Sequence, residues 1–494
     1  MKTGAELGTL EASGLIQLAV LEPELEYLFR HALVQDAAYA SLLKQDRRTL
    51  HRLAAETLLA TYPDRKRELA AVIAMHYEQA GDAQAAAPYL VEAGEHAQER
   101  FANREALSFF ERAVALLASD PRIELRLRAM LGMAKVGWSF TASDKYVDLL
   151  ERIVAETADR NDPRLIADAY FWIAFIRRWR GENPETSAGL RSALDNAERI
   201  GEKLGDPIAH AIPKAFMGVG MMFSGQLREG ATQTREALAA MEGKADPLST
   251  AILSGFLTMT LARLGDFAAA EETLAYGEQL AAQGDEIARL DATIARTGIE
   301  LERGELDKSM ALAESCAIKS EELGAVACGV GSNVMLGAGR LQAEDVLGAK
   351  VPAERGFELA LVTNMAPFRT LAQGMVGAVQ GRLGNLPQAA ADWDGALAAA
   401  RAMGDRYGEA MTLWNRGRTH ARQTPPDFSA AITDLDATAT LMEAMGARPA
   451  LARVLRDRAQ TLRLLGRADD ADLAERHSLE LARELGLKDF PPAT

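Results

Sequence analysis

The sequence predicts an all-α protein, a right-handed superhelical solenoid of helical hairpins, and three observations predict it. Apolar residues recur every three or four positions along most of the chain, the spacing of one face of an α-helix. Turn signals return at a steady interval of about 40 residues. The chain has 494 residues and only 17 prolines, too long for one compact core and suited to an elongated array.

One set of turns runs through Gly181, Gly225, Gly265, Gly304, Gly384, the "TPPDFS" around Pro425, and Gly466, in steps of 44, 40, 39, 80, 41 and 41. A second set lies between them at Gly205, Gly243, Gly284, Gly324, Gly404, Gly446 and Gly486, in steps of 38, 41, 40, 80, 42 and 40. Each step of 80 hides a turn, one near Glu344 to Lys350 and the other near Thr363 to Phe368. Two interleaved turns per period describe a helical hairpin. Glycine takes the left-handed position that ends each helix, and the Asp, Asn or Glu beside it serves the start of the next. A lone hairpin cannot bury its apolar face, so successive hairpins must stack. In "AFMGVGMMFSG", Gly218 and Gly220 read as a helix that needs close approach to a neighbour.

Between about 67 and 118 the small and large residues Ala74, Tyr77, Ala86, Leu90 and Ala93 fall at spacings that Gly94, Ala97, Ala106, Phe110 and Ala113 repeat. This alternation resembles the tetratricopeptide repeat, in which small residues let paired helices approach and an aromatic plugs the gap. Residues 1–60 lie outside the period. There "LIQLAVL" alternates, a Pro-Glu turn follows, and "YLF" completes a small β-hairpin or wing. A helix runs from about Arg30, breaks, and restarts near Asp46. The expected division is a winged-helix remnant over 1–62, a tetratricopeptide-like ladder over 63–120 and an irregular tetratricopeptide-like superhelix over 121–494.

The succession of "GLI", the short wing, "Y-x-FRHALVQDAAYASLL", "RR-x-LH" and "HYEQAGD" resembles the C-terminal half of bacterial signalling ATPases of the STAND type, over Gly14 to about Ala118. The resemblance implies a nucleotide switch followed by a winged helix and a superhelical arm, often fused to a class III adenylate or guanylate cyclase or to a LuxR-type DNA-binding domain. In that family the front block joins switch to arm. The resemblance therefore implies a coupling joint at Phe29, Arg30, His31, Gln35, Asp36, Tyr39, Arg47, Arg48 and His51. Read from the residues alone, Phe29, Leu33, Tyr39 and Leu43 pack the winged helix, while Arg30 and His31 hydrogen-bond locally. Phosphate binding needs G-x-x-x-x-G-K-[ST], and "LGAK" at Leu347 to Lys350 lacks its first Gly and its Ser or Thr.

In "AYFWIAFIRRWRG", Trp172 and Trp179 share a helix face, with Arg177, Arg178 and Arg180 at its end. Core packing with cations at a helix C-terminus accounts for them. The alternative is a partner or ligand surface formed by Trp172, Arg177, Trp179 and Arg180. No H-E-x-x-H or G-x-S-x-G occurs, and the seven histidines are scattered, with His76 and His96 on successive helices.

Composition narrows the classes. Lys plus Arg number 55 against 70 Asp plus Glu, a net charge of −15, so a polyanion is repelled. Locally, Lys44 to Arg67 holds seven basic and three acidic residues, which a winged helix could turn toward DNA or toward an acidic neighbour. Cys316 and Cys328 lack disulfide or zinc spacing, which fits a reducing cytoplasm. No apolar run approaches the roughly 18 residues that span a bilayer. The expectation is a non-catalytic cytoplasmic scaffold or sensor of bacterial type, without cofactor or metal. It binds a protein, a peptide or a small inducer in its groove, and neither nucleic acid nor membrane. It would serve as the regulatory arm of a signalling ATPase or nucleotide cyclase. The alternative is part of a transcription regulator whose superhelix senses a small metabolite.

Overall fold

The computed structural model describes residues 2–20, 26–100, 102–118, 120–138, 140, 144–157, 162–183, 185–243, 247–282 and 286–490. The Pro-Glu turn of the expected wing, Gly284 and the residues after Phe490 lie outside these. The chain divides into two compact units, Met1–His96 with Ser108–Pro121 and Ala97–Leu107 with Arg122–Thr494.

The first unit opens with α1 (Lys2–Ala12) and an antiparallel hairpin of β1 (Ile16–Val20) and β2 (Glu26–Phe29), pairing Ile16 with Phe29 and Leu18 with Tyr27. Then come α2 (Ala32–Ser41), α3 (Lys44–Thr61), α4 (Ala70–Ala80), α5 (Ala83–Glu99) and α6 (Asn103–Leu116). The break between α2 and α3 falls just before Asp46, as expected. Its core gathers Ala55 of α3, Ile73 and Tyr77 of α4 and Ala86 of α5, with Leu58, Leu69 and Tyr89 beside them. Tyr77 and Tyr89 stack at 5.7 Å between centroids. A Cβ on Gly94 would lie 2.7 Å from the Phe110 ring, so the small residue makes room for the large one, the logic read from the spacing.

The expected packing of Phe29, Leu33, Tyr39 and Leu43 is not formed. Leu33 is 82% and Leu43 73% exposed, and Phe29 and Tyr39 are also exposed. A two-stranded ribbon is too narrow to cover a helix on both sides, and no residue of α2 is buried.

The second unit continues with α7 (Ile123–Gly137), α8 (Asp144–Thr157), α9 (Pro163–Trp179), α10 (Ala188–Leu204), α11 (Pro207–Ser224) and α12 (Leu227–Met241). Next are α13 (Pro247–Leu264), α14 (Phe267–Ala281), α15 (Glu286–Arg303), α16 (Leu306–Leu323), α17 (Val326–Gln342) and α18 (Val346–Thr363). The last are α19 (Ala366–Arg382), α20 (Leu386–Ala402), α21 (Arg406–Arg422), α22 (Phe428–Met445), α23 (Arg448–Leu464) and α24 (Ala468–Leu485). This is the tetratricopeptide-like solenoid of hairpins that the period predicts. The described glycines of both turn sets take positive φ, and at the two hidden turns Glu344 (φ 61°) and Asn364 (φ 55°) take the same left-handed position.

The two helices of a hairpin differ. The first touches its counterparts in neighbouring hairpins and is buried nearly all round, whereas the second packs by one face. Close approach inside a pair is explicit at α11 and α12: a Cβ on Gly218 would lie 2.8 Å from the Gly230 carbonyl oxygen, and one on Gly230 would lie 2.6 Å from that of Gly218.

The solenoid of this unit also meets itself. A Cβ on Gly181 would reach Ala366 at 2.9 Å and Met403 at 3.2 Å, one on Gly225 would reach Met445 at 2.8 Å, and one on Gly265 would reach Leu485 at 2.6 Å. Met403, Met445 and Leu485 lie 222, 220 and 220 residues on, and Ala366 one helix earlier at 185, so one superhelical turn closes against the next after about five and a half hairpins. At the far end the chain docks on α15: Lys488 N–H donates to the Arg303 carbonyl at 2.9 Å, and Phe490 is buried.

Candidate functional site

Where the early hairpins meet the late ones, a partly open cavity of about 930 Å³ remains. On one side it is walled by the end of α9 and by α10 and α11, through Leu194, Phe216, Met217 and Met221. The other side comes from the α20–α21 turn and the end of α22, through Met403, Arg406 and Met445. It lies within the second unit and is mainly apolar, with arginines and carboxylates at intervals.

Arg178 is the unusual wall residue. It is 95% buried, yet its Nε and Nη1 have no hydrogen-bond partner. Its guanidinium lies 5.5 Å from the Phe223 ring, a cation–π contact, and faces the charge of Asp405. Burial pulls its pKa down, and Asp405 opposes that. Asp405 is itself engaged at the start of α21: Oδ1 accepts from the Gly408 N–H at 2.9 Å, and the Thr370 hydroxyl donates to Oδ2 at 3.3 Å. Burial pushes the Asp405 carboxyl up to about 6, against the Gly408 N–H and the charges of Arg178 and Arg263.

A buried polar network continues inward from there. The Arg263 guanidinium lies 3.7 Å from the Tyr407 ring centroid, and the Tyr407 hydroxyl donates to Glu302 at 3.4 Å. Arg453, 1% exposed, lies 3.6 Å from Glu302 and donates to Asp489 at 2.6 Å and to the Glu302 carbonyl at 3.0 Å. A second network centres on Glu344 at its left-handed turn, with Arg382 at 2.9 Å, Arg422 at 3.2 Å and Arg418 in contact. Burial would raise the Glu344 carboxyl, but the guanidiniums of Arg418, Arg422 and Arg382 hold it below the ordinary value. Trp414 Nε1–H donates to Asp457 at 2.8 Å, which adds α23 to that group. Helices far apart in sequence are thus tied by charge.

In α9 the two tryptophans take the core-packing reading and not the alternative of a surface. Trp172 and Trp179 are buried, 9% and 5% exposed. Trp172 packs on Phe175 at 4.9 Å, and Trp179 stacks on Phe368 at 5.7 Å and meets Phe256 at 5.8 Å. Trp179 joins α9 to α13 and α19, and neither tryptophan offers an exposed anchor. Arg177 donates to Glu151 at 3.0 Å and to Glu182 at 2.8 Å, and Arg180 closes the helix through its backbone N–H to the Ile176 carbonyl at 3.0 Å. Sequence reading passed over the inward cation, Arg178, because its environment comes from helices some 220 residues away.

In the first unit, three of the expected joint residues come together. The Tyr39 hydroxyl and His51 Nε2 are 2.9 Å apart, and Arg47 lies over the Tyr39 ring at 5.1 Å. His51 Nδ1 then meets Nδ1 of His76 at 2.8 Å, so His76 turns to His51 where proximity to His96 was considered. Neutral rings satisfy both bonds, whereas two imidazoliums would oppose two N–H donors. Burial, and then His51, lower the His76 pKa. Phe29 ends β2, Arg30 N–H donates to the Leu15 carbonyl at 3.1 Å, and His31, Gln35 and Asp36 are exposed along with Arg48. Part of the basic run is spent locally, as in Arg52 with Asp82 at 3.1 Å and Arg65 with Glu68 at 3.0 Å.

Cys316 and Cys328 are free and buried, and burial pushes the Cys316 thiol up to about 12. Among the described residues one trio has metal-ligand spacing, Glu198, Glu202 and His210, with ligand atoms within 4.8 Å. Partly exposed carboxylates of this kind also serve as plain surface charge, and no metal is assigned. No helix among the described residues is long and apolar enough to cross a membrane.

No family model matches the chain. Over 137 residues, 26% of this chain, it is 31% identical to an uncharacterised protein of Rhizobium meliloti, and the matched part is 13% of that protein's length. Among solved structures, a Rap protein complexed with Competence and Sporulation Factor is similar, with 11% identity over 73% of this chain and 98% of the other and a TM-score of 0.55. A signal transduction ATPase with numerous domains and a tetratricopeptide repeat sensor, from Pyrococcus horikoshii, is 13% identical over 98% of this chain and 70% of its own, with a TM-score of 0.38. The likeness to the Rap protein shows the fold, a tetratricopeptide-like helical solenoid.

Proposed function

We propose that this chain is a non-catalytic sensor arm: a ligand seats in the cavity between successive superhelical turns, and the change in their separation is passed on to a signalling ATPase or nucleotide cyclase. The observation that carries this reading is the cavity, about 930 Å³ and walled by hairpins some 220 residues apart. A ligand held there contacts both turns at once. Its binding energy therefore bears directly on pitch, because each hairpin otherwise constrains only its neighbours.

The front segment, the remnant of a winged helix over 1–62, is the joint of this arm in our reading, followed by the ladder over 63–120 and the sensing superhelix over 121–494. The exposed apolar side chains of α2, α3 and the break between them support that role, since Leu33, Leu43, Leu50 and Leu53 are each at least half exposed on a segment with excess positive charge. The nucleotide switch of a bacterial STAND-type ATPase is the occupant we assign to that face. A small inducer fits the cavity better than a protein domain, which also keeps in play a transcription regulator whose superhelix senses a metabolite.

Hydrogen exchange on the full chain, with and without members of a metabolite and peptide panel, tests the reading. Protection is expected at the α9–α11 and α20–α22 segments together. A ligand that protects only one of the two walls would refute the coupling of turns. The pure chain should neither hydrolyse ATP nor form cyclic nucleotide, and a measurable rate of either removes the non-catalytic assignment.

A further inference from the structure

We propose that the outward face of α18 is an interface with a second copy of this chain, the two α18 helices lying antiparallel about a two-fold axis between Glu354 and Arg355.

The sides of α18 are reversed from those of an ordinary surface helix, which keeps its large apolar residues for the core. Toward its neighbours α18 turns small residues, among them Ala349, Ala353, Gly356 and Ala360, all buried. Outward it turns large ones: Leu347 is 74%, Val351 71%, Val362 58% and Leu361 50% exposed. At 3.6 residues per turn these four share one stripe about 100° wide with Glu354 and Glu358, while Lys350 and Arg355 flank it on opposite sides. Single apolar side chains on a surface are ordinary, whereas four aligned on one helix mark a contact face. Helix α16 widens it: Glu321 meets Arg355 at 3.1 Å, and Ile318, one turn before Glu321, is 58% exposed.

The order of residues along the stripe selects the occupant. Lys350, Glu354, Arg355 and Glu358 lie between Leu347 and Leu361 and sum to zero charge, so a strongly acidic or basic partner gains nothing here. The same helix reversed is complementary to it. Residues 347 and 362, and likewise 351 and 358, are centred on the point between 354 and 355. Turned about that point, Leu347 meets the partner's Val362 at each end. Glu354 comes level with the partner's Arg355, and Glu358 lies one residue's rise from the partner's Lys350. A parallel pairing would instead set every charge against its own copy. A two-fold contact of this kind uses one patch twice, so it closes at a dimer. No residue of α18 lines the cavity, and the dimer and the sensor reading therefore stand or fall separately.

Sedimentation velocity of the full chain, up to about 100 μM, tests the assignment. A concentration-dependent dimer is expected. The double variant Leu347→Asp, Val351→Asp should remain a monomer throughout with unchanged circular dichroism, since both side chains are exposed. Glu358→Lys should weaken the dimer about fivefold, and Lys350→Glu added to it should restore the affinity. Cys316 and Cys328 are buried, so an introduced surface cysteine reports the geometry alone. Under mild oxidation Glu354→Cys, beside the axis, should give a disulfide-linked dimer, whereas Leu347→Cys, far from its own copy, should not. A monomer at every concentration, a dimer that survives the double aspartate variant, or cross-linking through Leu347→Cys in place of Glu354→Cys overturns the proposal.

Discussion

The segment α2–α3 and the inner helices α13, α15, α21 and α23 treat their side chains in opposite ways. In α2 and in the break before α3 leucines stand in solvent, Leu33 at 82% and Leu43 at 73%, and Ala55 is the one buried residue assigned to either helix. In the inner helices even charged groups are enclosed: Arg453 is 1% exposed, Glu300 1%, and Arg263 7%. Exposure of apolar groups costs little while a partner surface is absent and becomes binding energy once it arrives. Burial of charge costs much unless every group is met, so it holds one arrangement of helices against all others only when the network is complete. In our reading the front of the chain is there to be covered, while the buried charges of the interior tie distant hairpins together even though Arg453 Nη1, Glu300 Oε2 and Arg263 Nη1 lack hydrogen-bond partners.

Breaking the interior should have the largest effect. Arg453→Met strands Glu302 and Asp489 and should cost about 3–5 kcal/mol, read as a lower denaturation midpoint. The double variant with Glu302→Leu should recover part of that loss if the pair matters as a pair.

The contact between superhelical turns is tested by two glycines in the same left-handed conformation. Gly265 (φ 82°) packs against Leu485, whereas Gly466 (φ 75°) has nothing within 4 Å of its missing Cβ. Alanine at either adds backbone strain of about 1–3 kcal/mol, and at Gly265 a steric clash of about 1–3 kcal/mol besides. Equal melting temperatures for Gly265→Ala and Gly466→Ala would show that the turns do not press on one another in solution.

Acid should act on the first unit in a defined direction. The His76 pKa lies below its ordinary value of 6.5, so the unfolded chain binds the proton more readily. This group's contribution is fully present above 6.5 and is lost as the pH falls through that value toward the folded pKa. Stability around α3 and α4, followed by hydrogen exchange from pH 7.5 downward, should decline. His76→Gln, which keeps a hydrogen-bonding side chain without the proton site, should flatten that decline.

The smallest effect should come from the exposed leucines. Leu33→Ser and Leu43→Ser should each change stability by no more than about 0.5 kcal/mol. They should weaken docking of an ATPase switch module supplied in trans. A large loss of stability would mean that the face is already covered within the chain.

Much of the fold was legible. The period located both turn sets, including the two without glycine, where Glu344 and Asn364 hold positive φ. The hairpin at Ile16–Phe29 and the helix restart near Asp46 were also readable, as was the close approach at Gly218. The packing of Leu33 and Leu43 was misjudged because apolar spacing says which face is sticky and not whether anything covers it. Core packing was the reading of the α9 tryptophans and a surface the alternative; both are buried, and Trp179 is covered by Phe256 and Phe368 from other hairpins, which no local pattern names.

The sequence alone determined where the helices begin and end and that they must stack, because capping, period and close helix pairing act within about 40 residues. Only the tertiary structure decided that one superhelical turn closes on the next, that Arg178 faces a cavity, and that Arg453 reaches Glu302. Those neighbours are set by small rotations summed over five and a half hairpins, and no local pattern of residues records such a sum.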